Sequence, residues 1–389
     1  MSADDRASPR ELPRRARDAA LRFALQGDLV EVAAYGTGHI NTTFIVTMDQ
    51  AGARVRYLLQ LLNTSVFREP ELLMDNIVRI TGHLRRRMMA AGADSISRRA
   101  LTVVPALDGR CYWCDSEEGF WRCYLFIEGA YSSDHIDSPG KAFALGEASG
   151  RFLELVSDLP GPRLAETIPD FHNARTRMAS FERAVVEDRA GRVATVGSEI
   201  EFFRSKGRGF DRIVEALEAG ELPERITHND TKISNLLIDD ATDEAICVID
   251  LDTVMPGAAA YDFGDLARTV PASTVEDDPV PEKMSLVPPM FKALVRGFAA
   301  GTRRAQGGSF LTEREIKLLP LGAPVMTMLM GIRFLTDYLD GDRYYRIARV
   351  SHNLDRSRTQ ISLIRSLDAQ RGMLEETVAA AFETLSRGR

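Results

Sequence analysis

The sequence predicts an α+β protein with two lobes, a small antiparallel β-rich lobe at residues 1–127 and a larger, mainly helical lobe at residues 128–389. Three observations predict this fold class. Strand-like runs alternate with turns in the first third of the chain, and amphipathic stretches fill most of the rest. A length of 389 residues also exceeds the usual size of one hydrophobic core.

The first lobe is predicted to begin with a short polar arm and to continue as an antiparallel meander. Its strand-like runs are residues 30–35, 42–47 and 55–62, joined by glycine-containing turns. Pro70 opens a helical stretch whose apolar residues recur at spacings of three and four. Two further strand candidates follow at 101–104 and 120–127, which gives the order β-β-β-α-β-β before a break at 128–130.

The second lobe is predicted to be helical except in one place. Amphipathic stretches lie near 140–157, 173–187, 194–205 and 209–219, and helices resume from about 288, including 313–339 and a stretch from 354. Between them, short strand-like runs surround polar loops at 225–227, 235–238 and 245–249.

The composition excludes several classes of partner. An apolar fraction of 44%, a charged fraction of 27% and a net charge of −7 describe an ordinary globular chain. The acidic balance offers no bulk attraction to nucleic acid or anionic lipid. No continuous apolar run approaches about 18 residues, so no membrane span and a cytoplasmic location are expected. Cys111 and Cys114 form an isolated pair, which favours strand residues over a redox or metal site.

The residues with the clearest chemical pattern are 228–235, which match H-x-D-x-x-x-x-N. This is the catalytic-loop pattern of kinases. Asp230 is predicted to accept or orient the proton of an acceptor hydroxyl, while Asn235 can turn back to a metal ion that bridges phosphates. His228 favours a structural role, because a histidine beside such an aspartate can fix the loop through hydrogen bonds.

Two aspartates follow an apolar strand in the string Ile249-Asp250-Leu251-Asp252. Mg²⁺ prefers hard oxygen ligands, so Asp250 is predicted as its principal ligand, with Asn235 and Asp252 beside it. Lys232 is either a contact of the transferring phosphoryl group or a solvated loop lysine. Asp262, at the start of a later helix, is predicted to brace the catalytic loop.

Longer strings extend the pattern beyond one loop. They are 36–41 (Gly-Thr-Gly-His-Ile-Asn), 227–235, 248–257, 261–265 and 333–339 (Arg-Phe-Leu-Thr-Asp-Tyr-Leu). Together they resemble the aminoglycoside phosphotransferase superfamily, and within it the sugar anomeric kinases typified by N-acetylhexosamine 1-kinase. The resemblance implies a protein-kinase-like fold, ATP with Mg²⁺, and phosphoryl transfer to the anomeric hydroxyl of a hexosamine or related sugar.

The same resemblance implies roles for residues outside the catalytic loop. His39, Asn41 and Arg333 resemble sugar contacts, although the first two would also suit a turn and Arg333 would also suit an ion pair with Asp337. Gly36 and Gly38 resemble a minimal phosphate loop. Tyr124 and Phe126 lie in a stretch that resembles the hinge at which backbone groups contact the adenine base.

One position departs from the kinase pattern, because Gln60 stands where the third strand ordinarily carries a lysine for the phosphates. A neutral amide can hydrogen-bond a phosphate without neutralising it. The absent lysine supports one alternative that stays open, a pseudokinase without turnover. Two others also stay open. One is an amino alcohol or aminoglycoside acceptor, and the other is a haloacid-dehalogenase-type phosphatase, whose first motif resembles 248–254. The phosphatase would require alternating βα units after Asp252, whereas the chain there is predicted to be mostly helical.

Overall fold

The computed structural model describes residues 11–36, 40–207 and 209–387. Gly38 and His39, two of the predicted site residues, lie outside the described residues. The chain divides into two compact units. The first extends to residue 129 and also includes residues 163–168, and the second comprises 130–162 and the chain from 169 onward. The division at 129 lies two residues beyond the predicted lobe boundary at 127.

The first unit contains a six-stranded antiparallel sheet in the order β1-β2-β3-β6-β4, with β5 also paired to β6. Its elements are α1 (Glu11–Ala20), β1 (Asp28–Ala34), β2 (Thr42–Gln50), β3 (Ala53–Leu62), α2 (Pro70–Ala90), α3 (Ile96–Arg99), β4 (Val103–Val104), β5 (Trp113–Cys114) and β6 (Phe120–Leu125). The predicted meander and the helix that begins at Pro70 are therefore present.

The prediction of a polar arm before the first strand is wrong for residues 11–20, which form α1. Ala16, Ala19 and Ala20 are buried in the hydrophobic core on one face of the sheet, together with Leu59 and Trp121. Their spacing of three and four places them on one side of a helix. The surrounding arginines conceal this apolar stripe in the sequence.

The second unit is helical around two small sheets. Its helices are α4 (Pro139–Val156), α5 (Ala174–Glu187), α6 (Gly197–Lys206), α7 (Arg212–Glu218), α8 (Ala259–Thr269), α9 (Pro288–Gly301), α10 (Glu313–Leu339), α11 (His352–Ala369) and α12 (Arg371–Arg387). Its strands are β7 (Ala130–Tyr131), β8 (Arg225–Thr227), β9 (Leu236–Asp239), β10 (Ala245–Val248) and β11 (Met255–Gly257). The sheets, β10-β9-β7 and β11-β8, are both antiparallel.

Helix α8 packs closely against α10, and this contact positions the polar residues at the start of α8. A Cβ atom at Gly264 would collide with the backbone of Gly322, so the two helices approach each other through glycines. Only residues without a side chain allow such close contact between helix backbones. The contact anchors Asp262, which lies two residues before Gly264.

Helix α10 is long and apolar enough, by length and composition alone, to cross a membrane. However, 72% of its most apolar window is buried inside the protein. This degree of burial is typical of a core helix, because such a helix is covered by its neighbours on all sides.

Candidate functional site

The loop at residues 228–232 connects β8 to β9 and is shaped by Asn229. This residue adopts a left-handed backbone conformation with φ of 63°, which asparagine tolerates better than most residues. Its side-chain amide donates hydrogen bonds to the carbonyl oxygens of Thr227, Thr253 and Met255 at 3.0–3.2 Å. The loop is thereby tied to both strands of the β11-β8 sheet.

Asp262 and His228 brace the same loop from two sides. The Asp262 carboxylate accepts hydrogen bonds from the backbone N–H groups of His228 at 2.8 Å and Asn229 at 2.7 Å. His228 Nε2 donates to the Ile249 carbonyl at 2.8 Å, and its Nδ1 accepts from the Asp230 N–H at 3.2 Å. Burial raises the pKa of Asp262 to about 6. The structural roles predicted for both residues are confirmed.

Asp230 is held by two side chains that follow it in the loop. One of its carboxylate oxygens accepts hydrogen bonds from Lys232 Nζ at 3.0 Å and Asn235 Nδ2 at 2.9 Å. Asn235 Nδ2 also donates to the Asp230 carbonyl at 2.8 Å. Burial opposes ionisation of Asp230, but the charges and hydrogen bonds around it, led by Lys232, lower its pKa well below the usual range. The carboxylate is therefore ionised at neutral pH.

Lys232 is paired with Asp230 and is not a freely solvated loop lysine. Burial disfavours its charge, but Asp230 and Asp250 outweigh that effect and raise the pKa of Lys232 above its ordinary value. The loop therefore presents a permanent positive charge beside the carboxylate. Such a charge can stabilise negative charge that develops on a transferring group.

The residues predicted to bind metal lie at the ends of β9 and β10. The Asn235 carbonyl accepts the Ile249 N–H at 2.9 Å, which brings Asn235 next to the residue that precedes Asp250. Asp250 is exposed in a left-handed conformation with φ of 58°, and Asp252 is buried on the following turn. The described residues contain no cluster of three or more His, Cys, Asp and Glu side chains arranged for a metal.

This donor set nevertheless fits Mg²⁺. It consists of the carboxylates of Asp250 and Asp252 and the amide of Asn235. Because an amide is not a His, Cys, Asp or Glu ligand, these residues do not form a cluster of three such side chains. The Asn235 amide nitrogen is occupied by Asp230, which leaves the amide oxygen as the group to offer a cation. Mg²⁺ keeps several waters and uses one or two protein carboxylates together with substrate phosphates.

The cofactor residues predicted in the first unit lie around β3, β6 and the glycine turn. Gly36 has φ of 73°, and among the described residues no atom outside Gly36 and its chain neighbours lies within 4 Å of a Cβ built there. Phe126 contacts the neighbouring Tyr35 ring edge-on at 5.8 Å between centroids, and Tyr124 is buried on β6. Asn41 Oδ1 accepts the Asn63 N–H at 3.0 Å, which ties the residue before β2 to the residue after β3.

Gln60 belongs to a line of hydrogen bonds that runs across three strands. Its Nε2 donates to Thr43 Oγ1 at 3.1 Å, and its Oε1 accepts from Arg122 Nε at 2.9 Å. Leu59 and Leu61 face the core, so Gln60 and its cross-strand partner Arg122 lie on the opposite face. A buried arginine thus provides positive charge next to the position that lacks the lysine.

Gln60→Lys is expected to destabilise the protein by about 2 kcal/mol or more, because it removes the acceptor of a buried cation and adds a second positive charge. Chemical denaturation measures this loss. Adding Arg122→Met to the Gln60→Lys variant should restore part of the lost stability, since the introduced lysine would then have no like charge beside it. An unchanged stability for Gln60→Lys alone would contradict the pairing.

Arg333, the predicted acceptor contact, lies on α10 and does not pair with Asp337. The Asp337 carboxylate instead accepts the backbone N–H groups of residues 343–345 at 2.7–2.9 Å. The guanidinium of Arg333 lies over the aromatic rings of Phe171, Tyr344 and Tyr345. It is close enough to Asp230 for the carboxylate to favour its charge.

Comparison with known families agrees with this geometry. The model of the phosphotransferase enzyme family matches residues 31–282, well over half of the chain. The chain belongs to the phosphotransferase enzyme family. It is a small-molecule kinase, as the sequence predicted.

Three solved structures of other phosphotransferases and kinases share the fold at low sequence identity. The aminoglycoside phosphotransferase from Alicyclobacillus acidocaldarius is 12% identical with a TM-score of 0.55, and the match covers 95% of this chain and 96% of that one. The choline kinase from Cryptosporidium parvum is 14% identical with a TM-score of 0.52, covering 90% and 91%. The ethanolamine kinase from Plasmodium vivax is 14% identical with a TM-score of 0.50, covering 85% and 82%. The predicted α+β, protein-kinase-like fold is confirmed.

The fold excludes the alternative that this chain is a haloacid-dehalogenase-type phosphatase. Asp250 follows β10, whose sheet neighbour β9 is antiparallel, and the chain after Asp252 continues mainly as helices. The phosphatase motif would require a parallel sheet with alternating βα units.

Three residues of the site were not predicted from the sequence. Asn229 carries a usable signal, because an asparagine inside a catalytic-loop pattern suits a left-handed backbone. Arg122 carries a weaker one, as a charged residue within an apolar strand. His172 gives none, yet its Nε2 donates to the Asn229 carbonyl at 2.7 Å and so supports the loop from outside the motif.

Proposed function

We propose that this protein transfers the γ-phosphoryl group of ATP to the anomeric hydroxyl of an N-acetylhexosamine or a related sugar. The observation that carries the proposal is the ionised Asp230 carboxylate, held by Lys232 and Asn235 in a loop braced by Asp262. A carboxylate fixed in this way can orient a hydroxyl toward a phosphoryl group.

The charge state of Asp230 determines when it takes the proton. A carboxylate whose pKa is lowered is a weak base, so it does not remove the hydroxyl proton before the reaction begins. Phosphoryl transfer passes through a loose transition state in which the leaving bond is largely broken first. The acceptor oxygen then forms its bond to phosphorus while its proton passes to Asp230.

Charge on the phosphates would be balanced from several sources. Asn235, Asp250 and Asp252 would hold Mg²⁺, which supplies positive charge to the phosphate oxygens when it is bound. Lys232 adds a side-chain charge beside Asp230. In the first unit, we propose that Arg122 and Gln60 together take the part that a third-strand lysine plays in other kinases.

The charges near Asp230 favour a sugar over an amino alcohol or aminoglycoside. A cationic acceptor calls for carboxylates or an open aromatic face around its ammonium group. The rings of Phe171, Tyr344 and Tyr345 are instead occupied by Arg333, whose charge the Asp230 carboxylate favours. A second cation would be repelled there.

A screen for nucleotide consumption tests the proposal. Purified protein with Mg²⁺ and either ATP or GTP is assayed against free N-acetylhexosamines, free hexoses, choline, ethanolamine and an aminoglycoside. We expect turnover with a free sugar and ATP. Preferential turnover of an amino alcohol or aminoglycoside would overturn the sugar assignment.

Blocking the reducing end tests the position of transfer. A methyl glycoside has no anomeric hydroxyl, so it should not be phosphorylated, whereas its free parent sugar should be. Equal rates for the two compounds would exclude anomeric transfer and would leave the kinase assignment intact.

A further inference from the structure

Two arginines of the second unit share one aromatic ring close to Asp230. Arg333 Cζ lies 4.8 Å from the ring centroid of Phe171, and Arg177 Cζ lies 5.9 Å from the same centroid. Tyr344 and Tyr345 contact Arg333 at 5.9 and 5.6 Å. We call these five residues the arginine–aromatic cluster.

Neither arginine of the cluster has a carboxylate partner among the described residues. Arg177 donates to the backbone carbonyl of Phe171 at 2.9 and 3.0 Å, and Arg333 contacts the Met330 sulfur at 3.5 Å. Burial, together with the charge of Arg333, lowers the pKa of Arg177 to about 10. Two like charges are thus held together without a neutralising group within ion-pair distance.

Two more deeply buried arginines of this chain each have a carboxylate partner. Arg268 pairs with Asp265 at 2.7 Å, and Arg15 pairs with Asp115 at 2.7 Å. A cation removed from water ordinarily requires such a partner, because desolvation without one is costly. Arg177 and Arg333 have no such partner within ion-pair distance among the described residues, and a bound anion would supply one.

Two buried polar atoms beside the cluster also have no hydrogen-bond partner among the described residues. They are His172 Nδ1 and the hydroxyl oxygen of Tyr345. His172 Nε2 donates to the Asn229 carbonyl, so the proton is on Nε2 and Nδ1 is a bare acceptor. Burial, with the charges of Arg333 and Arg177, lowers the pKa of His172 to about 3, so the ring is neutral.

The cluster is connected to the catalytic loop through His172. This ring lies 4.5 Å from Phe171 and is hydrogen-bonded to Asn229, the residue before Asp230. Asp337 fixes the backbone of Tyr344 and Tyr345, which holds the far side of the cluster in place. The cluster and the loop that carries Asp230 therefore share His172, and Arg333 is close enough to Asp230 for the carboxylate to favour its charge.

We propose that the acceptor carries an anionic group, a carboxylate or a phosphate, which pairs with Arg177 and Arg333 while a hydroxyl of the acceptor is oriented by Asp230. This inference rests on the proposed function and narrows its substrate to acidic sugars. Arginine is well suited to the task, because its planar guanidinium can bind carboxylate or phosphate oxygens in pairs.

The test compares acceptors that differ in one substituent. Glucuronic acid and glucose 6-phosphate carry the anion, glucose is the neutral reference and glucosamine carries a cation, all with a free anomeric hydroxyl. An ion pair with hydrogen bonds corresponds to a preference of about 10- to 100-fold. We expect kcat/KM for one of the acidic sugars to exceed that for glucose by this factor, and the preferred anion distinguishes carboxylate from phosphate.

Variants connect the preference to the cluster. Arg177→Met and Arg333→Met should each reduce the ratio of kcat/KM for the acidic sugar to that for glucose, mainly through KM. Arg333→Lys keeps the charge and should retain part of the ratio. Arg175→Met is the matched control on the same helix, because Arg175 is exposed and its charge is paired with Asp211 and Glu218. In Arg175→Met, the ratio of kcat/KM for the acidic sugar to that for glucose should equal the wild-type ratio.

The outcomes separate the two proposals. If glucose is phosphorylated as well as either acidic sugar, the anionic acceptor is excluded while the sugar kinase assignment stands. If no sugar is phosphorylated but an amino alcohol is, the proposed function itself fails. A wild-type preference that survives in both methionine variants would also overturn the assignment to Arg177 and Arg333.

Discussion

Asp230→Asn is expected to reduce kcat by about 10²- to 10⁴-fold, which is the usual contribution of a positioned acid or base. Asparagine has nearly the same shape, and its amide oxygen can still accept from Lys232 and Asn235, as the carboxylate does. It has no negative charge to take the hydroxyl proton. The loss should therefore appear in kcat, with the KM for ATP changed only a little.

The measurement is steady-state turnover under saturating nucleotide, with nucleotide affinity from calorimetry as a second readout. Asp240→Asn is a suitable control, since Asp240 is exposed in the turn between β9 and β10. Thermal unfolding should confirm that both variants are folded. Turnover close to that of the wild type in Asp230→Asn would exclude Asp230 as the catalytic residue.

Asp250→Asn is expected to abolish most of the Mg²⁺ dependence of nucleotide binding and to lower kcat by about 100-fold or more, because metal charge contributes several kcal/mol to such transition states. Asp250 adopts φ of 58°. Asparagine tolerates this backbone conformation, so the substitution removes a charge without introducing strain. An alanine at this position would mix the two effects.

Calorimetry with ATP in the presence of Mg²⁺ or a chelator measures the dependence directly. Asp243→Asn is the matched control, because Asp243 is also exposed and also has φ of 58°. Its Mg²⁺ dependence should match the wild type. If Asp250→Asn retained the full Mg²⁺ dependence, the metal would have to be held elsewhere.

Much of the fold was predictable because the signals are local. The meander from β1 to β3, the start of α2 at Pro70 and the span of α10 each follow from the spacing of apolar residues over one element. Helix α1 was missed since its buried residues are three alanines, which are too small to produce a strong apolar pattern, and Arg15. Only its packing against Leu59 and Trp121 explains its burial.

The bracing of the catalytic loop was partly predictable for the same reason. His228 belongs to the loop itself, and Asp262 stands near a helix start, where a carboxylate is favoured. The line from Thr43 through Gln60 to Arg122 was not predictable, because it depends on the register of β3 with its two neighbours. A shift of one residue would turn Arg122 to the other face of the sheet.

The sequence by itself determined that this chain is a phosphotransferase, because the spacing within residues 228–235 and the position of Asp250 after a strand specify the loop that performs the chemistry. The tertiary structure alone decided that two arginines share one aromatic ring, that of Phe171. Arg177 and Arg333 are 156 positions apart in the chain, and they meet only because α5 packs against α10. Charge at such a site is a property of side chains brought together from distant elements, and no local pattern encodes it.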